Sequence, residues 1–466
     1  MTKKTRNILF GILVIFFLIV APLTVFYSLG WRFDWENKEI VQTGSFYFRA
    51  WPKSSQVIIN DELKEKTDIF FGSALIDSLL PEEYKVEVRK DGYYSWIKTL
   101  EIKKREVTEI KNITLIPTDV AFEVLVKEVE ELFISPDDRK IIIKQKDSIG
   151  KWSLKLYELD NNIKSHIVNE IDFSTKGVDL FNLKFSPDSN KIVLELGLKE
   201  KLQYYILDIK KSPAVITRLD FLGSPEEIYF HPKDDSRIFI LQDIIENRKS
   251  ITTLNEVDYV EKEILPPMFQ NVVVVSIINN NIFYLDTSGF VWKSELDGSR
   301  AEKINIIALD YKEETKYGII STGSSILLRE EGSLYLFDED KKSFKKIFDS
   351  IKKYKLSPDN NKIVCWSDNE IKVLFLEKQY DQPSKEKGDQ ISLANFSESL
   401  EDVFWYTNYY LVFNLGNNIK VIELDDRGEI NEVNLVEFEH KKILFSNKKL
   451  YILSSGNLYS SSQLTQ

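Results

Sequence analysis

The amino-acid sequence predicts an all-β protein that is attached to a membrane by one amino-terminal helix. Three observations support this prediction. An uncharged apolar stretch occupies residues 8–30, short strand-like stretches follow over residues 45–117, and one strand-and-turn pattern then recurs over residues 118–466. Aromatic residues are abundant, with 29 Phe and 21 Tyr against 18 Gly. Such side chains fit the half-buried face of a pleated sheet.

The composition argues against several classes of protein. Lys and Arg number 62 against 73 Asp and Glu, and this net charge of -11 argues against binding to nucleic acid. A single cysteine, Cys365, allows no disulfide within the chain and no cysteine-based metal or redox site. Only His166, His231 and His440 are available for a histidine metal centre or a catalytic triad.

The apolar stretch at residues 8–30 predicts a transmembrane signal anchor, because about 20 apolar residues cross the hydrocarbon core. Basic residues precede it and acidic residues, Asp34, Glu36 and Glu39, follow it. The positive-inside rule therefore places residues 1–7 in the cytoplasm and the chain beyond the helix outside it. A cleaved secretory signal is the alternative, but its apolar region is typically only about 7 to 15 residues long. Both interpretations export the rest of the chain, and residues 31–44 are predicted as a juxtamembrane linker.

Residues 45–117 predict a small antiparallel β-sandwich. Five stretches alternate or nearly alternate apolar and polar residues, and they are 45–51, 56–59, 84–89, 96–101 and 107–116. Turn-forming residues such as Pro52 and Pro81 separate them.

The same segment resembles the PEGA domain. The resemblance rests on residues 51–61, on residues 80–88 and on the Gly-Tyr-x-x-Trp run at residues 92–96, although Pro52-Lys53-Ser54-Ser55 replaces the tetrapeptide that names the family. It implies an accessory module of exported, surface-attached prokaryotic proteins. Tyr93 and Trp96 could stack on a sugar, but a domain this small needs its large side chains for its core or rim, which is the favoured interpretation.

Residues 118–466 predict a β-propeller of eight four-stranded blades, with seven as the alternative. Clear copies of the pattern begin at residues 132, 183 and 354, and degraded copies begin at residues 228, 272, 317, 403 and 443. Ser135 and Ser446 close the first strand of the first and last copies, which gives about 44 residues per blade. The last copy has only three strands before Gln466, so we expect residues 120–127 to complete it and to close the ring.

The three clear copies resemble the repeats of TolB-type and WD40-like propellers, in which Ser-Pro-Asp-Gly-Lys joins the two inner strands. Asp138, Ser189 and Asn360 stand in place of the glycine. The resemblance implies a fold and a binding platform, and it implies no reaction.

The sequence yields no candidate catalytic, cofactor-binding or metal-binding residue, since it has no nucleotide, zinc-protease or hydrolase motif. Three acidic pairs lack the spacing of a calcium loop and are predicted as solvated turns, namely Asp137-Asp138, Asp234-Asp235 and Asp425-Asp426. His231 is predicted as a variant of the Ser-Pro-Asp turn, and Cys365 as an inert buried thiol. Residues 378–390 are predicted as a solvated loop between the outer strands of the sixth blade.

These features favour a non-catalytic envelope protein at the cell membrane, held there through residues 8–30. Its domains lie outside the cytoplasm and its propeller contacts a protein or a glycan. The alternative is an exported carbohydrate-active enzyme that uses two carboxylates in the propeller channel.

Overall fold

The computed structural model contains one long helix, a small sandwich and a ring of β-sheets. It describes residues 3–464 except 36, 148–149, 162, 175–176, 199–200, 247–248, 279, 323 and 441. Glu36 of the acidic flank and Gln466 therefore lie outside the described residues. Helix α1 comprises Lys3–Ser28, buries none of its side chains, and is long and apolar enough to cross a membrane. The predicted apolar helix is confirmed.

Nine strands precede the ring in the described part of the chain. They are β1 (Trp31–Asp34), β2 (Glu39–Gln42), β3 (Gly44–Trp51), β4 (Gln56–Ile59), β5 (Glu62–Lys66), β6 (Ser73–Leu79), β7 (Glu83–Arg89), β8 (Trp96–Glu101) and β9 (Val107–Thr114). Strands β1 and β2 pair as a two-stranded ribbon within the predicted linker. The sandwich consists of one sheet in the order β6-β3-β9 and a second in the order β5-β4-β7-β8.

The sandwich core lies between these two sheets. Phe46 and Phe48 of β3 are completely buried, and Val86 and Val88 of β7 face them from the other sheet. The strands of the sandwich pair antiparallel as predicted, except that β3 and β9 pair in parallel, for which the prediction is wrong. The two strands enter the same sheet from the same end, because the chain crosses to the second sheet and returns between them.

Eight four-stranded sheets form the ring in the part of the chain that the structure describes. We number these blades I to VIII in chain order and label the strands of each blade A to D outward from the ring axis. Blades I to III contain β11 (Val129–Ile134), β12 (Lys140–Lys146), β13 (Trp152–Glu158) and β14 (Ile163–Asn169); β15 (Asp179–Phe185), β16 (Lys191–Leu198), β17 (Lys201–Asp208) and β18 (Val215–Arg218); β19 (Glu227–Phe230), β20 (Arg237–Glu246), β21 (Lys249–Asp258) and β22 (Glu263–Gln270).

Blades IV to VI contain β23 (Val272–Ile278), β24 (Asn281–Asp286), β25 (Val291–Glu295) and β26 (Glu302–Lys303); β27 (Tyr317–Ser321), β28 (Ile326–Glu330), β29 (Ser333–Asp338) and β30 (Ser343–Phe348); β31 (Lys353–Leu356), β32 (Lys362–Trp366), β33 (Glu370–Phe375) and β34 (Gln390–Asn395). Blade VII contains β35 (Leu400–Thr407), β36 (Tyr410–Leu415), β37 (Asn418–Glu423) and β38 (Glu432–Glu437), and blade VIII contains β39 (Lys442–Ser446), β40 (Lys449–Ser454), β41 (Asn457–Ser461) and β10 (Phe122–Val126). A short 3-10 turn, Glu170–Asp172, follows blade I.

The ring closes as predicted. Blade VIII takes its outermost strand, β10, from the segment that precedes blade I, and Phe122 of β10 pairs with Ser461 of β41. All eight predicted copies correspond to blades, so eight is confirmed and the alternative of seven is not. Closure of this kind leaves no open sheet edge between the first and last blades.

The blades give the ring two distinct faces. In a four-stranded meander the turns between A and B and between C and D lie at one end, and the other connections lie at the opposite end. We call these ends the AB/CD face and the BC/DA face.

The Ser-Pro-Asp turns lie on the AB/CD face and share one geometry. In blade I, Ser135 Oγ accepts the backbone N–H of Lys140 at 2.9 Å and donates to Asp137 Oδ1 at 2.5 Å. The residue in the glycine position has a positive φ in each clear copy, at 56° for Asp138, 59° for Ser189 and 58° for Asn360. The predicted turn is thus confirmed.

Candidate binding surface

The sandwich is fixed to the AB/CD face of blade VII by a buried ion pair. Lys98 of β8 places its Nζ 2.8 Å from Glu423 Oε1, and both residues are 2% exposed. The same Nζ donates to the carbonyl oxygens of Asp425 at 2.5 Å and Arg427 at 2.8 Å. Trp96 Nε1 donates to Glu423 Oε2 at 2.7 Å. Both carboxylate oxygens of Glu423 therefore have partners from the sandwich.

Burial dominates the electrostatics of this contact. Desolvation raises the pKa of Glu423, and the charge of Lys98 and hydrogen bonds from Asn431 oppose the rise. Desolvation also raises the pKa of Tyr410, whose hydroxyl oxygen accepts the backbone N–H of Thr114 at 3.1 Å. The interface is thus buried and polar, and its groups are paired across the two domains.

The loop at residues 378–390 completes the contact with the sandwich. Gln382 Oε1 accepts the backbone N–H of Glu109 at 3.0 Å, and Gln382 Nε2 donates to the carbonyl oxygen of Val107 at 3.1 Å. One side-chain amide thereby satisfies a donor and an acceptor of β9, which is an edge strand of its sheet. Asp381 pairs with Lys111 at 3.1 Å. The prediction that this loop is merely solvated is wrong, since it binds the sandwich.

An open groove lies beside the sandwich, on the AB/CD face of blades IV to VI. Its volume is about 670 Å³, and Phe283 and Phe337 contribute aromatic surface to its lining. Four lysines also line it, and they are Lys293, Lys303, Lys342 and Lys387. We call this feature the lysine groove.

The lysines of this groove are held by acidic and aromatic neighbours. Lys387 Nζ lies 3.1 Å from Glu339 Oε1 and donates to the carbonyl oxygen of Ser324 at 3.1 Å. Lys342 Nζ lies 5.8 Å from the ring centre of Phe337. A concave surface with charged hydrogen-bonding groups and aromatic faces suits a polar polymer such as a peptide or a glycan. Lys387 belongs to the same loop as Gln382, so one loop contacts both the sandwich and the groove.

A lysine also occupies the central channel. Lys355 of the innermost strand of blade VI interacts with the charges of Asp138 in blade I and Lys442 in blade VIII, which meet only at the ring axis. Its Nζ lies 3.8 Å from the ring centre of Phe404. Lys355 is exposed to the channel. The surrounding protein nevertheless lowers its pKa to about 8 by desolvation, and Asp138 partly opposes this shift.

A cleft between blades II and III brings three glutamates together, and they are Glu195, Glu226 and Glu227. Desolvation raises the pKa of Glu226, and the charge of Asp243 raises it further. Glu227 instead accepts hydrogen bonds from Lys184 at 2.8 Å and from the Tyr229 hydroxyl at 2.7 Å. Within the described residues, no group of three or more His, Cys, Asp or Glu side chains could hold a metal ion.

Most of the residues that the sequence analysis discussed as possible site residues pack in the core or hold a turn. Trp96 is 3% exposed in the interface with blade VII, and Tyr93 packs edge-on against Trp51 with 5.9 Å between ring centres. His231 caps its turn, since its Nδ1 accepts the backbone N–H of Asp234 at 2.7 Å. Cys365 is buried, and desolvation raises the pKa of its thiol.

Each acidic pair lies in a turn and has at least one carboxylate engaged with protein groups. Asp137 accepts the backbone N–H of Arg139 at 3.1 Å, and Asp234 accepts the Ser236 hydroxyl at 2.7 Å. Asp425 is bound by the Arg427 guanidinium at 2.6 Å. The pair Asp425-Asp426 therefore lies at the interface with the sandwich, a role that the sequence did not predict.

Comparison with known proteins identifies no family. No family model matches the chain, and no curated protein matches it. Among solved structures, the computationally designed Ika8 protein is 11% identical with a TM-score of 0.45, covering 72% of this chain and 96% of its own. An oligogalacturonate lyase in complex with manganese is 13% identical with a TM-score of 0.39, and the match covers 74% of this chain and 91% of the lyase chain. The WD40 domain of SCAP from fission yeast is 10% identical with a TM-score of 0.42, covering 74% and 98%. These likenesses carry no conclusion about activity.

Proposed function

We propose that this chain is a membrane-anchored, extracytoplasmic envelope protein that acts as a non-catalytic binding or scaffold module. Residues 1–7 would be cytoplasmic and residues 8–30 the anchor in the cell membrane. Residues 45–117 would be a PEGA-like module, and residues 118–466 a TolB-type propeller. The length and apolar character of α1 and the basic residues before it support the anchor.

The lysine groove carries the proposal of a binding role. The sandwich covers part of the AB/CD face at blades VI and VII through Gln382, Glu423 and Arg427, while the groove over blades IV to VI stays open. Lys387, in the loop that holds the sandwich, extends into that groove. We therefore place the contact with a protein or glycan partner in the lysine groove.

Site-specific photo-crosslinking in intact membranes tests this placement. A photoreactive residue at position 306, on the groove rim, replaces an isoleucine that is 71% exposed. The matched control is position 245, an isoleucine that is 85% exposed near the BC/DA face of blade III. We expect a discrete cross-linked protein or glycan at position 306 and none at position 245. The reverse result would move the site to the opposite face, and the absence of any product at both positions would contradict the binding role.

The cleft between blades II and III, which Glu195, Glu226 and Glu227 line, supports a second candidate, an exported carbohydrate-active enzyme. A glycosidase needs two carboxyl groups at one site, of which one has a raised pKa, and Glu226, whose pKa is raised by desolvation, lines this cleft with Glu195 and Glu227. A screen of the full-length protein against glycosides and polysaccharides tests it. Turnover that Glu226→Gln abolishes would establish the enzyme, and turnover unaffected by that change would exclude this cleft as its site.

A further inference from the structure

The ribbon of β1 and β2 begins directly beyond the apolar helix and is fixed to its last turn. Trp31 of β1 packs edge-on against Phe26 of α1, with 6.1 Å between ring centres. Arg32 places its guanidinium 3.5 Å from the ring centre of Tyr27 and donates to the carbonyl oxygen of Tyr27 at 2.7 Å. The ribbon therefore starts at the level at which α1 ends.

The second strand returns to the same point. The backbone N–H of Thr43 donates to the carbonyl oxygen of Gly30 at 2.9 Å, so both ends of the ribbon lie beside the end of the helix. Its length is four residue pairs, or about 13 Å of extended chain. All of the ribbon thus stays close to the carboxyl end of α1.

The ribbon has two chemically different faces. Cross-strand pairing puts Arg32 opposite Val41 and Asp34 opposite Glu39 on one face. That face packs towards the sandwich, because Asp34 is 8% and Val41 4% exposed and Arg32 donates to Ser78 Oγ at 3.0 Å. The sandwich thus fixes the orientation of the ribbon.

Towards the tip of the ribbon, the other face is apolar and open. Phe33 pairs with Ile40 on this face, and the two residues are 43% and 64% exposed. Trp35 at the tip is 82% exposed, and its ring meets Phe33 edge-on with 4.8 Å between ring centres. We call Phe33, Trp35 and Ile40 the aromatic face of the ribbon.

We infer that the aromatic face of the ribbon inserts into the outer headgroup region of the membrane that holds α1. Residues 8–28 of α1 span about 32 Å, close to the roughly 30 Å of the hydrocarbon core, which puts Trp31 in the headgroup layer. Trp and Tyr favour this layer because their rings are apolar and carry one polar group. With its other face packed on the sandwich, the ribbon would hold the sandwich, and hence the AB/CD face, at a defined angle to the membrane. The inference rests on the proposed anchor.

Depth-dependent quenching in the full-length protein tests the insertion. Single cysteines are introduced by Ile40→Cys on the aromatic face, Glu39→Cys on the opposite face as the matched control, and Leu18→Cys in the middle of α1. Cys365 is buried and its thiol has a raised pKa, so it stays unlabelled. Each introduced cysteine is labelled with a thiol-reactive fluorophore. The labelled protein is then reconstituted into phosphatidylcholine vesicles that carry a fluorescence-quenching nitroxide either near the headgroup or deep in the acyl chain.

We expect the deep nitroxide to quench the label at position 18, and the shallow nitroxide to quench position 40 more strongly than position 39. Adding Trp35→Ser, an exposed change whose effect on folding is checked by thermal unfolding, should reduce the quenching at position 40. Quenching at position 18 with equal signals at positions 39 and 40 would overturn the insertion and leave the anchor intact; the aromatic face would then be free for a protein. Absence of quenching at position 18 would overturn the anchor and the insertion together.

Discussion

Lys98 Nζ and Glu423 Oε1 lie 2.8 Å apart and join the sandwich to blade VII. The pair is buried and makes five further hydrogen bonds. Glu423 accepts three, from Trp96 Nε1 and from the backbone and side-chain N–H groups of Asn431, and Lys98 donates two to backbone carbonyl oxygens of blade VII. Removing one member of a buried pair leaves an uncompensated charge, whereas exposed pairs contribute little. We therefore expect this pair to contribute more to the attachment of the sandwich than an exposed ion pair would.

The first prediction concerns this pair. Lys98→Met should lower the free energy of unfolding by about 3–5 kcal/mol, because the carboxylate of Glu423 is then buried without its cation. Urea denaturation of the detergent-solubilised protein measures the change. Lys64→Met is the control, since Lys64 lies 2.6 Å from Glu62 but both side chains are exposed; it should cost at most about 1 kcal/mol.

Acid should reduce the difference between Lys98→Met and the parent protein. Lys98 lowers the pKa of Glu423 against the effect of burial, so its removal raises that pKa further. A carboxyl group whose folded pKa exceeds its unfolded value destabilises the protein at high pH, and this penalty declines as pH falls through the folded pKa. A loss of stability that is independent of pH would contradict the role of the charge.

The second prediction concerns the turn residue Asn360, whose φ is 58°. Asn360→Ala should lower stability by about 1–2 kcal/mol, because the left-handed region is unfavourable for alanine and better tolerated by asparagine. Asn360→Gly should be neutral or stabilising. Thermal unfolding measures both, with Asn361→Ala as the control at a neighbouring position without a positive φ. Equal losses for alanine and glycine would show that a side-chain contact matters instead.

These turns explain why the propeller was predictable from the sequence. Each clear copy carries its own determinants, since Ser135, Asp137 and Lys140 bond one another within six residues. Local chemistry repeated at a constant spacing therefore reveals the blades. Strand β5 was missed because its residues, 62–66, are all exposed and show no apolar alternation.

The domain interface was not predictable by the same means, because its partners lie far apart in the chain. One indication of the interface was nevertheless present in β8, in which every second residue is buried, namely Trp96, Lys98 and Leu100. A lysine in an inward position needs a buried anion, but the sequence does not say that Glu423 of a distant blade supplies it. Nothing in the sequence around Gln382 indicated that it contacts the sandwich, since it lies in a polar loop.

The third prediction concerns the channel residue Lys355, whose pKa is about 8. Asp138→Asn should lower this pKa further, because the Asp138 charge favours the ammonium form and asparagine tolerates the positive φ of position 138. The pH dependence of Lys355 acetylation, followed by mass spectrometry, measures the shift, and Asp137→Asn serves as the neighbouring control. An unchanged midpoint in Asp138→Asn would contradict the charge interaction between Asp138 and Lys355.

Lys355 also gives the stability of the protein a defined pH dependence. Its folded pKa lies below its unfolded value, so the unfolded chain binds more protons between about pH 8 and pH 10.5. The contribution of Lys355 to stability should therefore rise with pH through this window. Lys355→Met should remove that rise in a series of urea denaturation curves, and a parallel pH dependence in both proteins would contradict the assignment.

The last prediction concerns the exposed loop at residues 69–71 of the sandwich. The Asp68 carboxylate accepts the backbone N–H groups of Phe70 at 2.7 Å, Phe71 at 2.6 Å and Ser73 at 2.7 Å. A hydrogen bond from the Ser73 hydroxyl, together with these N–H groups, holds the pKa of Asp68 well below its usual range. A carboxyl group with a lowered folded pKa stabilises the loop above its unfolded pKa, and the effect is lost only as pH falls through the folded value. The loop should therefore stay ordered at the ordinary aspartate pKa of about 3.9.

Hydrogen exchange followed by mass spectrometry tests this order in the full-length protein. Asp68→Asn should accelerate exchange of the Phe70 and Phe71 amides, since a neutral amide oxygen accepts hydrogen bonds less strongly than a carboxylate. Asp77→Asn, at an exposed position of β6, is the matched control and should leave those amides unchanged. Equal protection in all three proteins would show that the loop owes its order to packing and not to the Asp68 charge, and loss of protection in the parent protein near the ordinary aspartate pKa would contradict the lowered pKa of Asp68.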